Sequence, residues 1–141
     1  MSRIFFDTNL FIYMFEDSGS LGAEVARLLE RMKYRGDELV TSTLTLGELI
    51  VMPLSQGRLD LVNRYKSALI SPSIRLVEFD VPAALMYGQI RLDRTIKPPD
   101  AVQLACASVA RCDIFITNDR SLTSKQVEGI QFIVPLDRVP L

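Results

Sequence analysis

The chain has 141 residues, 48% hydrophobic and 23% charged, with a net charge of −1; this is about one domain's worth of sequence with enough apolar side chains for a full core, which excludes a disordered or fibrous class. There is no histidine, so the commonest general base and the commonest transition-metal ligand are missing, and any acid–base or metal chemistry falls to carboxylates, hydroxyls, amides and basic groups. No apolar run approaches the roughly 18 residues of a bilayer span, MSRIFFD lacks the layout of a secretory signal, and Cys106 and Cys112 are too few for a disulfide scaffold; a cytoplasmic protein with no membrane partner is expected.

RIFFD, residues 3–7, reads as a short buried strand, and TNLFIYMF after it as a helix. Residues 20–35 carry apolar side chains at 21, 25, 28, 29 and 32, a helical spacing closed by Gly36. ELVTS (38–42) is a second strand. TLTLGELIVMPLSQG (43–57) is a nearly all-apolar helix, expected to stop at Pro53 and Gly57. RLDLVNRYKSALIS (58–71) is amphipathic and helical, and IRLVEF (74–79) is a third strand. Asp80 with Pro82 two positions later marks a helix start, giving a helix over 81–93. PPDAVQLACASVARC (98–112) is the last helix and would carry both cysteines. DIFIT (113–117) is a fourth strand and QFIVPL (131–136) a fifth. Short apolar strands alternating with helices predict an α/β fold: one domain over residues 1–141, with a mainly parallel sheet of about five strands flanked by α-helices. Phe5, Phe6, Phe11, Phe15, Phe115 and Phe132 all fall in apolar runs and are expected in the core. The helix at 58–71 and the segment FIYMFEDSGS offer apolar surface to a second copy or another protein, if the core does not use it.

Four carboxylates stand where carboxylates are costly. Asp7 is the only charge between Arg3 and Glu16, and nine of the twelve residues in IFFDTNLFIYMF are apolar. It ends the first strand, and Asp119 ends the fourth. Glu48 is the only charge between Glu38 and Arg58, with Leu44, Val51 and Met52 as its helical neighbours. Asp100 is the only charge between Lys97 and Arg111 and opens the last helix. Each also has a structural reading. Asp7 and Asp100 could be helix caps, the latter with Gln103 completing a capping box. Asp119 could be a turn residue in TNDRS. Glu48 has the weakest such reading, since a mid-helix glutamate caps nothing. Taken together, two strand-end acids and two helix-borne acids can share the crevice at the carboxyl ends of a doubly wound sheet. Four carboxylates in one pocket call for a cation, and an oxygen-only ligand set favours Mg²⁺ or Mn²⁺.

FFDTNLFIY, the glutamate of TLTLGELI, KPPDAVQLACA and IFITNDRSL resemble, in order and spacing, the motifs of the PIN-domain family, over about residues 3–136. In length and in the PPDA and TND wording the chain is most similar to VapC-type toxins of toxin–antitoxin pairs. The resemblance implies a Mg²⁺- or Mn²⁺-dependent endoribonuclease with Asp7, Glu48, Asp100 and Asp119 as its acidic site. Asn9 and Thr117 match the polar positions that support such a site. It also implies RNA as substrate, a cognate antitoxin and a homodimer. Asp7, Asp100 and Asp119 are the expected ligands, direct or through water. Glu48 is a ligand through water or the base that orients the nucleophile. Attack by water predicts 5′-phosphate and 3′-hydroxyl ends.

Setting the four acids aside leaves a charge of +3, and twelve of the sixteen basic residues are arginine, which suits phosphate contacts. Arg91, Arg94, Lys97 and Arg120 lie near the acidic motifs in sequence and are candidates for guiding RNA. An aspartate-nucleophile phosphatase would want a second Asp where Asn9 stands, and a receiver-type switch would want an acidic pair. No glycine-rich phosphate loop is present. A PIN nuclease of RNA maturation and a non-catalytic metal- or RNA-binding module are the alternatives that stay open.

Overall fold

In the computed structural model, residues 1–16 and 19–141 are described. Asp17 and Ser18, which fall in the segment FIYMFEDSGS, lie outside them. Strands β1 (Arg3–Phe6), β2 (Glu38–Ser42), β3 (Ile74–Val77), β4 (Ile114–Ile116) and β5 (Phe132–Val134) form one sheet in the order β3-β2-β1-β4-β5. Every neighbouring pair is parallel. The connections run through α1 (Thr8–Phe15) and α2 (Ser20–Arg35), then α3 (Thr43–Ser55) and α4 (Leu59–Leu69), then α5 (Val81–Ile90) and α6 (Pro98–Val109). The first two crossovers step outward from β1 to one edge. The third carries the chain back across β1 to start the other half. The strand order therefore reverses between β1 and β4, which opens a crevice at their carboxyl ends.

Alternation along β1 assigns the two layers, because successive side chains point to opposite faces. Phe5 joins Val40, Phe115 and Ile133 in a core that packs under α5 and α6. Its ring stacks on Phe115, with centroids 4.9 Å apart and planes within 7°. Ile4 and Phe6 join Ile114 and Ile116 in the opposite core, with Leu10 and Phe11 of α1, Val25, Leu28 and Met32 of α2, and Leu61, Tyr65 and Leu69 of α4. Phe132 departs from the expectation of a core residue. It lies on the edge strand β5 and is 49% exposed. Most of the apolar face of α4 is consumed by the core, with Leu59 exposed at its start; other exposed apolar side chains include Val51, Met52 and Leu54 of α3 and Val81 and Leu85 of α5.

Three helix ends differ from the sequence expectation. α3 passes through Pro53 and ends at Ser55. A proline in the last turn removes only one ladder bond, and the Gln56 and Arg58 N–H groups still donate to the Met52 and Pro53 carbonyls. α5 stops at Ile90 and not at Asp93, because the Asp93 carboxylate accepts from both the backbone N–H and the hydroxyl of Thr95 and draws the chain into a turn. Lys125 closes that turn with an ion pair to Asp93 at 2.9 Å.

α6 ends at Val109, so Cys112 lies beyond it. The end is a Schellman motif: the Arg111 N–H donates to Ser108 and the Cys112 N–H to Ala107, both at 3.0 Å. Arg111 holds the left-handed position, at φ +55°, that glycine usually fills. Burial pushes both thiols up, Cys106 to about 11 and Cys112 to about 12, as expected of core filler. The left-handed arginine yields a test. Arg111→Gly should stabilise the protein by about 0.5–1 kcal/mol, because it removes the Cβ penalty. Urea unfolding reads this directly, and a lower midpoint would mean that the arginine side chain contributes more to the helix end than its conformation costs.

Candidate active site

Asp7 is the residue at which β1 becomes α1. Its backbone N–H extends the sheet by donating to Ile116 at 3.1 Å. Its side chain caps α1: Oδ1 accepts the Thr8 N–H at 2.8 Å. Oδ2 accepts the Thr117 hydroxyl at 2.7 Å. Burial pushes the Asp7 carboxyl up, the two hydrogen bonds pull it back, and the charge of Asp119 adds a further upward push.

Thr117 follows β4 and is fully buried. Its oxygen also accepts the Asp119 N–H at 3.1 Å, so one hydroxyl ties Asp7 to Asp119. Asp119 is the turn residue that TNDRS suggested. Its Oδ1 accepts from the Ser121 N–H and hydroxyl at 3.0 and 2.7 Å, while Oδ2 carries no hydrogen bond among the described residues. Capping and turn formation thus use one oxygen of each acid and leave the carboxylates at the crevice.

Asp100 is not a cap. α6 begins at Pro98, Lys97 occupies the cap position without a side-chain bond, and Asp100 is the third helical residue. Two prolines start the helix ahead of the acid, because proline is favoured in a first turn. Gln103 therefore cannot complete a capping box. It is 2% exposed and faces Ser42, Thr45 and Thr8. The Asp100 carboxyl is pushed up to about 6. Burial is the main cause, followed by the charges of Asp7, Asp119 and Glu48; nearby Lys97 opposes them. Asp7, Asp119 and Glu48 thus all lie within electrostatic reach of Asp100.

Glu48 is exposed on α3, and so are Val51 and Met52, at 60% and 61%. The expectation that it lies in a covered apolar face is corrected: this stretch of helix faces outward and needs no partner for its charge. Its Oε1 accepts the Thr8 hydroxyl at 2.6 Å, which tethers the side chain to the start of α1.

The remaining sequence candidates are placed as follows. Asn9 is exposed and makes no hydrogen bond among the described residues. Arg91 is half-buried and donates to the Ile96 carbonyl, holding the turn before α6. Arg94, Lys97 and Arg120 are exposed. Thr8 and Gln103 were missed as site residues. A lone glutamine in the apolar stretch AVQLACA was the available signal.

Among the described residues no ion pair reaches any of the four acids. Nor does any group of three lie close enough, as placed, to close directly on one ion. A cavity of about 500 Å³ lies elsewhere, between α5 and residues 124–128, and is lined by none of the four acids. No helix among the described residues is long and apolar enough to cross a membrane.

Residues 4–127 match the PIN domain. The chain belongs to the PIN domain family. Solved structures share its fold. VapBC2 from Rickettsia felis, bound to a DNA fragment from its promoter, aligns with a TM-score of 0.71 at 13% identity, over 94% of this chain and 98% of that one. A toxin–antitoxin complex from Klebsiella pneumoniae aligns at 0.66 and 23% identity, over 90% and 94%. Mycobacterium tuberculosis VapC20, a toxin that cleaves the sarcin–ricin loop, aligns at 0.67 and 15% identity, over 89% and 97%. No curated protein matches the sequence.

The raised Asp100 carboxyl has a consequence for stability. Between 3.8 and about 6 the folded protein keeps a proton that the unfolded chain has released. Stability in chelator should therefore fall as pH rises through that window. Asp100→Asn removes the effect, so in chelator at about pH 7.5 it should melt roughly 2 °C above wild type, a modest gain because the group is part-exposed. The two should converge below the window. Thermal melts at both pH values check this, and an Asp100→Asn protein that melts lower at neutral pH would contradict it.

Proposed function

We propose that this PIN domain is a divalent-metal-dependent endoribonuclease and the toxin of a type II toxin–antitoxin pair. One observation carries the reading: four carboxylates from β1, α3, α6 and the end of β4 gather at the sheet's switch point with no ion pair to compensate them. Structural acids on a protein surface have no reason to accept that repulsion. The donor set is oxygen only, which fits a hard cation, Mg²⁺ or Mn²⁺. The acids stand too far apart for shared direct coordination, and a magnesium ion that keeps several of its waters accommodates such spacing. Asp7, Asp100 and Asp119 would hold the ion, directly or through water, with Glu48 beside them. When bound, the ion supplies an acidified water and polarises the phosphoryl oxygen.

The chain's own groups supply orientation and proton transfer. Thr117 and the Thr8 N–H fix both oxygens of Asp7. The Asp119 turn leaves Oδ2 aimed at no protein donor. Glu48 engages Thr8 through Oε1, and its other oxygen is available to take a proton from the attacking water. Exposed Arg94, Lys97 and Arg120 would guide the phosphate backbone. Arg91 would act mainly by shaping the turn that carries Lys97. An antitoxin and a second copy are the proposed protein partners. The exposed apolar side chains of α3 and α5 are the surface they would cover.

Purified protein, free of any partner, should cut cellular RNA at discrete sites in Mg²⁺ or Mn²⁺ and not in chelator. Asp7→Asn should lower the rate by at least about 10²-fold. The new ends should be 5′-phosphate and 3′-hydroxyl, because the metal-assisted nucleophile is water. Mapped 2′,3′-cyclic phosphate ends would refute the water mechanism. Expression of wild type, but not of Asp7→Asn, should arrest growth; cleavage without arrest would favour a processing nuclease over a toxin.

A further inference from the structure

A buried chain of polar side chains runs beneath the acids and takes no part in the chemistry above. Ser42, Thr45 and Gln103 are all nearly inaccessible to solvent. They come from the end of β2, from α3 and from α6. The Ser42 hydroxyl donates to Gln103 Oε1. Gln103 Nε2 donates to Thr45 Oγ1 at 2.7 Å and to Thr8 Oγ1 at 3.3 Å. Thr8 then donates to Glu48.

The proton count gives this chain a direction. An amide nitrogen has two protons and no acceptor capacity, and a hydroxyl has one proton. Ser42 Oγ accepts the Thr45 N–H at 3.4 Å, so its proton is available to the amide oxygen. That bond faces the Gln103 amide oxygen to Ser42 and its nitrogen to Thr45 and Thr8. With its nitrogen toward α1, Gln103 fills the acceptor side of the Thr8 hydroxyl. The single Thr8 proton is left to point at Glu48. Were the amide reversed, its oxygen would compete with Glu48 for that proton and leave the acceptor side of Thr8 unfilled. Glu48 is a long, exposed side chain on a solvent-facing helix, so nothing else there holds it in one rotamer. The network also sits in register with the acids: Thr8 follows Asp7, Thr45 lies one turn before Glu48, and Gln103 one turn after Asp100.

We infer that Gln103 is a positioning residue, acting through Thr8 to hold the Glu48 carboxylate in its working place in the acidic site. This rests on the nuclease reading only for Glu48's part in the reaction; the tether itself is independent of it. Gln103→Glu keeps the shape but replaces the donor with an acceptor, which turns the Thr8 proton away from Glu48. Thr8→Val removes the hydroxyl at a half-exposed position outside the buried network, so it remains informative where Gln103→Glu fails to fold. Thr8→Ser restores the hydroxyl.

The experiment has two readouts. Side-chain NMR couplings of metal-free protein report the Glu48 rotamer. Cleavage kinetics on an RNA oligonucleotide report kcat and KM. Wild type and Thr8→Ser should show one Glu48 rotamer. Thr8→Val and Gln103→Glu should show averaged rotamers, with kcat down by roughly 10- to 100-fold and KM within about twofold. A purely structural role would lower thermal stability without averaging the rotamer, and Thr8→Ser would not rescue. A fixed Glu48 rotamer with unchanged kcat in folded Thr8→Val, beside an inactive Glu48→Gln, would overturn the inference and leave the nuclease reading intact. Wild-type protein that cuts no RNA would overturn the nuclease reading, and the rotamer measurement would still decide the tether.

Discussion

One hydroxyl organises the centre of this molecule. Thr117 donates to Asp7 and accepts from the backbone of Asp119, so the ends of two neighbouring parallel strands are joined across the crevice by a single buried atom. Like charges separate when they are free to do so. Here the sheet prevents separation, because Asp7 and Thr117 are placed by backbone bonds to Ile116 and Val134. The repulsion is therefore built into the fold rather than relaxed by side-chain motion, and it adds to burial, the main cause, in pushing the Asp7 and Asp100 carboxyls up.

The helices serve the same end by different means. α6 starts with two prolines, so Asp100 enters in its first turn, where the helix dipole favours an anion. α3 projects Glu48 outward and relies on a tether. Asp7 and Asp119 are each held by a neighbouring backbone N–H together with a hydroxyl; Glu48 is held by a hydroxyl alone. Within the acidic set, precision thus comes from three sources: strand ends, a helix start and a hydrogen-bonded chain.

Much of this was legible in the residues. The β-strands announced themselves as short apolar runs, and their alternation with helices fixed the fold class. Asp7, Glu48 and Asp100 stood out as lone charges in long uncharged stretches, and Asp119 by its place at the end of the fourth strand. What could not be read was competition at element ends. Pro53 looked like a stop but fell in a last turn. Arg111 sits where glycine is the usual choice, so α6 seemed to run on to Cys112. Phe132 lies in an apolar run, yet the run forms an edge strand, and edge status is a property of the sheet order. Glu48 seemed buried by its neighbours because periodicity counts apolar residues without saying which face the core takes. Gln103 was assigned to a cap because its spacing from Asp100 fitted one, and only the start of the helix at Pro98 moved it inward.

The strand order carries one more consequence, in the timing of synthesis. β1 leaves the ribosome before the other strands and is the central strand of the sheet, and its partner β4 follows only after α6. The Asp7–Thr117 bond spans 110 positions. Loops of that length close slowly and late, since the entropy of closure precedes the gain from pairing. No partial chain ending before residue 117 can contain the joined acids, however well its earlier helices have formed. The acidic cleft therefore cannot form until β4 and the residues just after it have been made, so that cleft formation waits on the second half of the sheet.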